Sequence, residues 1–465
     1  MDFIYTTHIK LISYIKVVSS MIVKATDLLN SLLYIKIFNI PFIILWVIAT
    51  GVFCTVRFKF INFRLFKYGI QTLFNLKCNG NNNGIITHIQ AFTTVISGTV
   101  GLGTISGVAI AITIGGPSAI FWMIITGILG MSIKFAEVVL AFTYRSESTT
   151  GGAFYYMERG FAKIGFMKTG KFLAFIYAVM LLVAMILGGI PFQANQIAAL
   201  SSNLFEYNTS VIISLFVLIV ILGGIKRIAL VATGLGPIMI MLYIGMCIYL
   251  ICVNGNNLLN ALSIIFQDIF NKSAIGGGVL SGLIAGVRRS VFANEAGTGT
   301  AAIAHSIVKE KDPVKVGSVA MIAPFVDTIL VSFLTGIVII ITDMHSTNTV
   351  GDITLVSSAF STALPLLSKL ALPLIMFSFA FSTIIAYYYY CEVALLYLFG
   401  NKKVLILFQI LIVGSVYISC MSKNIEFISY LGDSLFMCLM IPNAVAIYLL
   451  RREVLNTIDS YYKRY

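Results

Sequence analysis

Eleven apolar runs follow one another along the chain with only short polar breaks between them. They lie near 38–57, 86–114, 118–141, 170–200, 209–224, 229–252, 276–307, 315–341, 365–395, 403–421 and 428–450. A helix that crosses a bilayer needs roughly 20 mostly apolar residues. Lipid offers no partner for a backbone N–H or C=O, so the helix must satisfy them internally. With 59% hydrophobic residues, 11% charged residues and a mean hydropathy of +0.97, the chain of 465 residues has no room for a sizeable soluble domain. The expected fold class is an all-α polytopic membrane protein of about 11 transmembrane helices, with the lipid bilayer as its solvent.

The net charge of +13 does not point to a nucleic-acid partner, because the Lys and Arg residues sit in short blocks between apolar runs. Those blocks alternate. Arg57, Lys59, Arg64, Lys67 and Lys77, then Arg145–Lys171, Lys226–Arg227, Lys309–Lys315, Lys402–Lys403 and Arg451–Arg464 occupy every second loop. The loops between them, at 201–208, 253–272 and 343–352, are nearly free of basic residues. By the positive-inside rule the tail at 451–465 is cytoplasmic and the N-terminus lies outside. Residues 1–37 read as an amphipathic segment lying on the membrane, since Lys10, Lys16 and Lys24 interrupt any signal-like apolar core. The seven Cys have no metal spacing and read as small buried hydrophobes.

Two of the runs are interrupted at matching places. One carries Gly101-Leu102-Gly103-Thr104 and the other Gly297-Thr298-Gly299-Thr300, each near the middle of about 30 residues. Glycine weakens a helix by about 1 kcal/mol relative to alanine. Clustered with hydroxyls, it marks where a membrane helix can unwind. Five spans separate the two clusters, so units at 86–252 and 276–450, after an extra helix at 38–57, would enter the membrane in opposite directions. Paired broken helices in two inverted halves point to a transporter's binding site. The plainer alternative is that the glycines only let helices pack closely.

An unwound helix offers N–H groups to a carboxylate and C=O groups to a small cation. Thr94, Ser97, Thr99 and Thr104 add hydroxyl oxygens at the first break. Glu295, beside the second, either braces the loop or takes part in cation coupling, unless it only pairs with Arg288 or Arg289. Lys134 and Glu137, three apart, suggest an internal ion pair. Gln193 and Gln196 share a face beyond Pro191 that could look into a central cavity, and Thr383 and Tyr387 share another. The run Tyr387–Tyr390 suggests an interfacial aromatic belt, and His305 a capping or interfacial residue. No metal-protease, nucleotide-loop or other catalytic constellation occurs, so no enzyme activity and no cofactor are expected.

Longer stretches carry a resemblance. GVFCTVRFKFINFRLF (51–66), GTVGLGTISGVAIAITIGGPSAIFWM (98–123), KFAEVVLAFTYR (134–145), GGAFYYMERG (151–160), GVRRSVFANEAGTGTAAIAH (286–305), FAFSTIIAYYYYCE (379–392) and IPNAVA (441–446) stand in order. Through them the chain resembles the alanine or glycine:cation symporter family, the sodium:alanine symporters, from about 38 to 450. The resemblance implies a leucine-transporter-type five-plus-five inverted repeat with one extra N-terminal span. It also implies sodium-coupled import of small neutral amino acids, alanine and glycine, across a bacterial inner membrane. A proton-coupled amino-acid carrier is the alternative, and a non-transporting membrane protein a more distant one.

Carried over by motif, the substrate would meet Thr99, Gly101, Gln193, Phe292, Asn294, Gly297, Thr383 and Tyr387. The sodium ion would meet Ser97, Thr104 and Ser382, with Glu295 as a further candidate. Thr104 stands where the family usually has Asn, and Tyr387 where it commonly has Trp. The first keeps an oxygen but lacks an amide donor, and the second would widen the pocket.

Overall fold

A computed structural model describes residues 24, 26–74, 85–146, 150–201, 208–270, 279–346, 351–401, 403–422 and 425–464. Most of the segment expected to lie on the membrane surface, 1–37, falls outside the described residues. Eight helical stretches are long and apolar enough to cross a membrane, and Phe42–Arg57 and Ser210–Ile221 are shorter apolar helices. A further crossing is made in two pieces around the second glycine cluster.

In chain order the helices that build the site are α1 (Phe42–Arg57), α2 (His88–Thr99), α3 (Leu102–Gly115), α4 (Ala119–Thr143) and α5 (Ala153–Lys163). Then come α6 (Met167–Ala184), α7 (Ile190–Ser201), α8 (Asn208–Ile221), α9 (Gly224–Val253) and α10 (Leu258–Phe270). The second half holds α11 (Val279–Asn294), α12 (Ala301–Ser306), α13 (Pro313–Ala320), α14 (Phe333–Ile341) and α15 (Ile353–Ser361). It ends with α16 (Pro365–Phe399), α17 (Lys403–Cys420), α18 (Ile425–Leu449) and α19 (Arg451–Arg464).

Burial sorts these helices. The broken pair α2–α3 is buried throughout from Ala91 to Ile112, with Thr113 and Ile114 exposed near its end, as expected of a helix with no lipid-facing stripe. It is enclosed by α11 against α3, α9 and α16 against α2, and α4 against α11. On α9 and α17 most of the apolar surface, including Leu230, Met241, Ile406 and Ile410, is left for lipid. Two stretches of π-helix, Met185–Gly189 and Phe325–Ser332, adjoin Pro191 and Pro324. A proline cannot donate to the helix ladder, and wider turns of this kind are common at functional sites.

The polar connections are more ordered than their composition suggests. Helices α5 and α10 occupy segments read from sequence as loops, and α15 fills the stretch between the loop at 343–352 and the span expected from 365. In α10 only Ala261, Ile265 and Ile269 are buried, a single i, i+4, i+8 stripe too narrow to mark a span.

Candidate functional site

The first break is short. Val100 and Gly101 alone leave the helix, and Gly101 takes an extended conformation that ends α2 and starts α3. Gln193 on α7 meets the break directly, its Oε1 accepting the Leu102 N–H at 3.0 Å. On the other side α16 supplies hydroxyls. Thr383 Oγ1 donates to the Ser97 carbonyl at 2.8 Å, Ser382 Oγ to the same oxygen at 3.4 Å, and Thr104 Oγ1 to the Thr99 carbonyl at 2.7 Å. Ser97 Oγ reaches the Ala232 carbonyl of α9 at 3.4 Å. The orphan groups of both half-helices are thus held by side chains from two other helices, α7 and α16, and by Thr104 of α3 itself.

The second break is longer and more contorted. Between Asn294 and Ala301 the chain puts Glu295, Gly297 and Gly299 at φ of 53°, 94° and 81°. Gly297 and Gly299 supply that left-handed backbone at no steric cost. Helix α4 pins this loop: Lys134 Nζ donates to the Asn294 carbonyl at 2.5 Å, and Glu137 Oε1 accepts the Gly299 N–H at 3.0 Å. Asn443 on α18 donates to Glu137 Oε1 and, at 2.7 Å, to the Gly297 carbonyl, while its own Oδ1 accepts from Tyr156. Tyr177 donates to the Thr298 carbonyl at 2.6 Å.

Lys134 and Glu137 therefore do not form the internal ion pair that their spacing suggests. No pair between them within 4 Å occurs among the described residues; each is spent on the backbone of the break. Glu295 accepts from the Thr300 hydroxyl and is approached by Tyr387, so it braces its own loop. Arg288 and Arg289 go elsewhere, to Asp433. Asn294 is turned onto its own chain: its Oδ1 accepts the Ala296 N–H at 2.8 Å and its amide donates to Ser290 at 3.1 Å.

Other expectations shift as well. Gln193 and Gln196 share a face but not a site, because Gln196 Oε1 accepts the Ile353 N–H at 3.2 Å at the start of α15. Tyr387–Tyr390 sit inside α16 with at most 4% exposure, so they line the protein interior and are no interfacial belt. His305 is buried with no hydrogen-bond partner on either ring nitrogen, and so neither caps nor meets water.

An aromatic layer covers the two breaks. Phe292 packs edge-on to Phe192 at 5.0 Å and against Phe436 at 4.9 Å, and Tyr387 lies 6.0 Å from Phe436. A Cβ at Gly103 would come within 2.9 Å of the Phe292 ring, and one at Gly189 within 2.6 Å of Tyr387. Above the layer, Arg288 Nε is 2.5 Å and Arg289 Nη2 3.1 Å from Asp433 Oδ2.

The basic end of the bundle is closed differently. Ile86 and Val308 form a parallel bridge, in which the Ile85 N–H donates to the Ile307 carbonyl at 2.8 Å and the Lys309 N–H to the Ile86 carbonyl at 2.9 Å. Arg145 Nη1 donates to the Ser306 and Val308 carbonyls at 3.1 and 3.3 Å, capping α12 with a charge of the favourable sign. His88 Nε2 lies 3.4 Å from Glu310 Oε2. Burial opposes the Glu310 charge, but the hydrogen bond with His88, the Lys311 and Asp312 amides and the Lys315 ammonium outweigh it and bring the carboxyl down to about 2.

A pH and mutation test follows. A carboxyl lowered on folding adds stability that is complete above its unfolded value and is lost only as pH falls through about 2. Hydrogen exchange of the Ile85–Ile86 and Val308–Lys309 amides should then show no step from Glu310 between about pH 5 and 8. Glu310→Gln should speed that exchange roughly two- to fivefold, as expected for a partly exposed ion pair. An unchanged exchange rate would remove Glu310 from the closure.

Sequence reasoning placed Ser97, Thr99, Gly101, Thr104, Gln193, Ser382 and Thr383 in one neighbourhood, and the structure brings them together at the first break. It places Glu295 and Gly297 in a second one, with Lys134, Glu137 and Asn443. Asn443, Tyr156, Tyr177 and Asp327 were not singled out as site residues. Asp327 lies in the second π-helical stretch, takes a hydrogen bond from Thr328 and faces Thr99. A lone polar residue within an apolar run was the available signal for Asn443 and Asp327.

With this geometry in hand, three likenesses can be placed. A model of the sodium:alanine symporter family matches residues 20–465. The chain is 32% identical over 433 residues to the sodium/alanine symporter AgcS of Methanococcus maripaludis, covering 90% of this chain and 94% of that one. It is 31% identical over 443 residues to GlnT of Bacillus subtilis, named as a probable sodium/glutamine symporter, covering 93% and 89%. Among solved structures it resembles MhsT in complex with L-phenylalanine, with a TM-score of 0.59 at 15% identity over 80% of this chain and 90% of that one. That last likeness concerns the fold, which is of the leucine-transporter type.

Proposed function

Because this chain belongs to the sodium:alanine symporter family, we propose that it is a plasma-membrane symporter that uses the sodium gradient to import small neutral amino acids. The observation that carries this reading is the first break, where the backbone ends of α2 and α3 meet Gln193 on one side and Ser382 and Thr383 on the other. The substrate carboxylate would take the N–H groups at the start of α3, of which Leu102's is now held by Gln193. Sodium favours hard, neutral oxygens, and the carbonyls of Ser97 and Thr99 with the hydroxyls of Thr104, Ser382 and Thr383 offer such a set. Thr99, Gly101, Phe292 and Tyr387 would line the substrate, and Asn294, Glu295 and Gly297 would hold the second break in shape.

Coupling follows from the shared backbone. A cation at the end of α2 fixes the same peptide groups that start α3, so each ligand raises affinity for the other. Alternating access then requires the Ile86–Val308 bridge and the Arg288/Arg289–Asp433 contact to open in turn, with one end of the chain's cytoplasmic basic loops facing inward. In proteoliposomes, alanine uptake should disappear when sodium is replaced by choline. Uptake that persists without sodium and follows a pH gradient would instead assign the coupling to a proton carried by a buried acid such as Glu295. Thr383→Ala should weaken apparent sodium affinity about tenfold, the loss of one buried oxygen partner. Thr383→Ser should leave it near the parent value, and equal effects of the two would remove the hydroxyl from the ion site.

A further inference from the structure

The turn that follows α1 stands out on two counts. Lys59 and Phe60 both take left-handed backbone, with φ of 55° and 54°, which residues other than glycine adopt rarely and at a cost. The Phe60 N–H closes the turn on the Thr55 carbonyl at 2.7 Å. The turn is also deep. Asn62 Nδ2 donates to the Ile128 carbonyl at 3.2 Å and the Phe66 ring lies 4.9 Å from Phe325, so the turn sits beside the body of α4 and not beyond its end. Ile128 precedes that end, Thr143, by roughly 22 Å of helix.

Its two faces differ sharply. Ile61, Asn62 and Leu65 point inward, and a Cβ on Gly69 would collide with the Ser318 carbonyl, so the helix Phe66–Phe74 lies directly on the backbone of α13. Arg57, Lys59, Phe60, Phe63, Arg64 and Lys67 are all exposed. In sequence no acid stands between Asp27 and Glu137. Among the described residues no carboxylate comes within 4 Å of the four cations. Charges on the outer side of a spanning helix are costly unless something of opposite sign or water reaches them.

Helix α19 supplies the way in. Its Tyr462 ring lies 5.0 Å from the Arg64 guanidinium, and its Tyr461 ring 5.8 Å from that of Tyr68. Val454, Ile458 and Tyr461 form its buried stripe, while Arg452, Asp459, Lys463 and Arg464 are exposed, so hydrocarbon cannot cover its outer face. The bilayer must thin along α19, and headgroups follow it to the turn.

We propose that the notch between this turn and α19 binds an anionic phospholipid from the leaflet at the basic end of the bundle. Arg57, Lys59, Arg64 and Lys67 hold its phosphate, and Phe60 and Phe63 lie along its chains. An arginine grips a phosphate through parallel N–H bonds and a lysine attracts it as a point charge. Four cations with no local acid select an anionic headgroup over a zwitterionic one, whose ammonium they repel. The site is independent of which solute is carried. It bears on the closure all the same, because the chain held there runs on to the Ile86–Val308 bridge.

The test uses the full chain in neutral detergent, with native mass spectrometry counting bound phosphatidylglycerol or phosphatidylcholine. Phosphatidylglycerol should bind at least tenfold more tightly. Lys59→Gln and Arg64→Gln should each weaken it about fivefold, the worth of one basic residue at an anionic membrane surface. Lys59→Arg and Arg64→Lys keep the charge and should stay near the parent, which separates loss of charge from loss of fold. Lys403→Gln, at an exposed position in another basic block, should leave binding unchanged. Excess glycerol phosphate should not displace the lipid, and displacement would assign the notch to a soluble phosphate ester instead. Equal binding of the two lipids, or equal weakening by Lys59→Gln and Lys59→Arg, would overturn the proposal. So would a dimer that Arg64→Gln splits without loss of lipid, which would give this face to a second copy of the chain.

Discussion

Replacing Gly101 with alanine is expected to lower sodium-dependent uptake by roughly tenfold to a hundredfold while the protein still inserts and folds. The added Cβ would fall 2.4 Å from Thr383 Oγ1 and 3.0 Å from Gln193 Nε2. Neither side chain can move freely. Thr383 is held by the Ser97 carbonyl and Gln193 by the Leu102 N–H, and displacing either leaves a buried polar group unpaired at about 1–3 kcal/mol. Gly107→Ala is the control on the same helix, because its Cβ would meet only Arg289 Cδ at 3.7 Å, an ordinary contact. Gly107→Ala should keep most of the parent's uptake. Should Gly101→Ala transport as well as the parent, the first break would not be where ligands are handled.

The second large effect is expected from Lys134→Met, which keeps the length of the side chain and removes its charge. Lys134 is fully buried, holds the Asn294 carbonyl and is the cation nearest to Glu295, Asp327 and Glu137. Glu137, Glu295 and Asp327 each have one oxygen without a hydrogen-bond partner, so they depend on that charge. Removing one partner from such a buried group costs about 3–5 kcal/mol. Thermal unfolding of the detergent-solubilised protein should therefore shift down by many degrees, and uptake should be lost. Adding Glu295→Gln to Lys134→Met should recover part of the stability, since one uncompensated carboxylate is removed. A double variant no more stable than Lys134→Met would place the compensation at Glu137 or Asp327 instead.

The spans were legible because lipid imposes one rule on every one of them, an unbroken apolar stretch of fixed length. Both breaks were legible for the converse reason: glycines beside hydroxyls are conspicuous where the background is leucine and isoleucine. The partners of the charged residues were not. Lys134 and Glu137 satisfy the helical spacing rule for a pair, yet the backbone of another helix offers each a better partner than the other does. Arg288 and Arg289 are seven and six residues from Glu295 in sequence, but a helix turns them away from it and toward Asp433, more than a hundred residues on. The tyrosine run fails as an interfacial signal because α16 is longer than a span and continues past Tyr390 to Phe399, so the run lies inside the helix and not at its end.

The parallel bridge between Ile86 and Val308 has a consequence for how such a transporter can be tuned by mutation. Its hydrogen bonds join main-chain atoms, which every residue except proline supplies, so that latch is inherited almost regardless of what stands at 85, 86, 308 and 309. At the opposite end the closure is written in three side chains, Arg288, Arg289 and Asp433, each one substitution from being lost. Sequence drift therefore acts on one door and spares the other. The preference of the resting protein for one side of the membrane would be adjusted at the arginine end, against a nearly fixed reference at the backbone end.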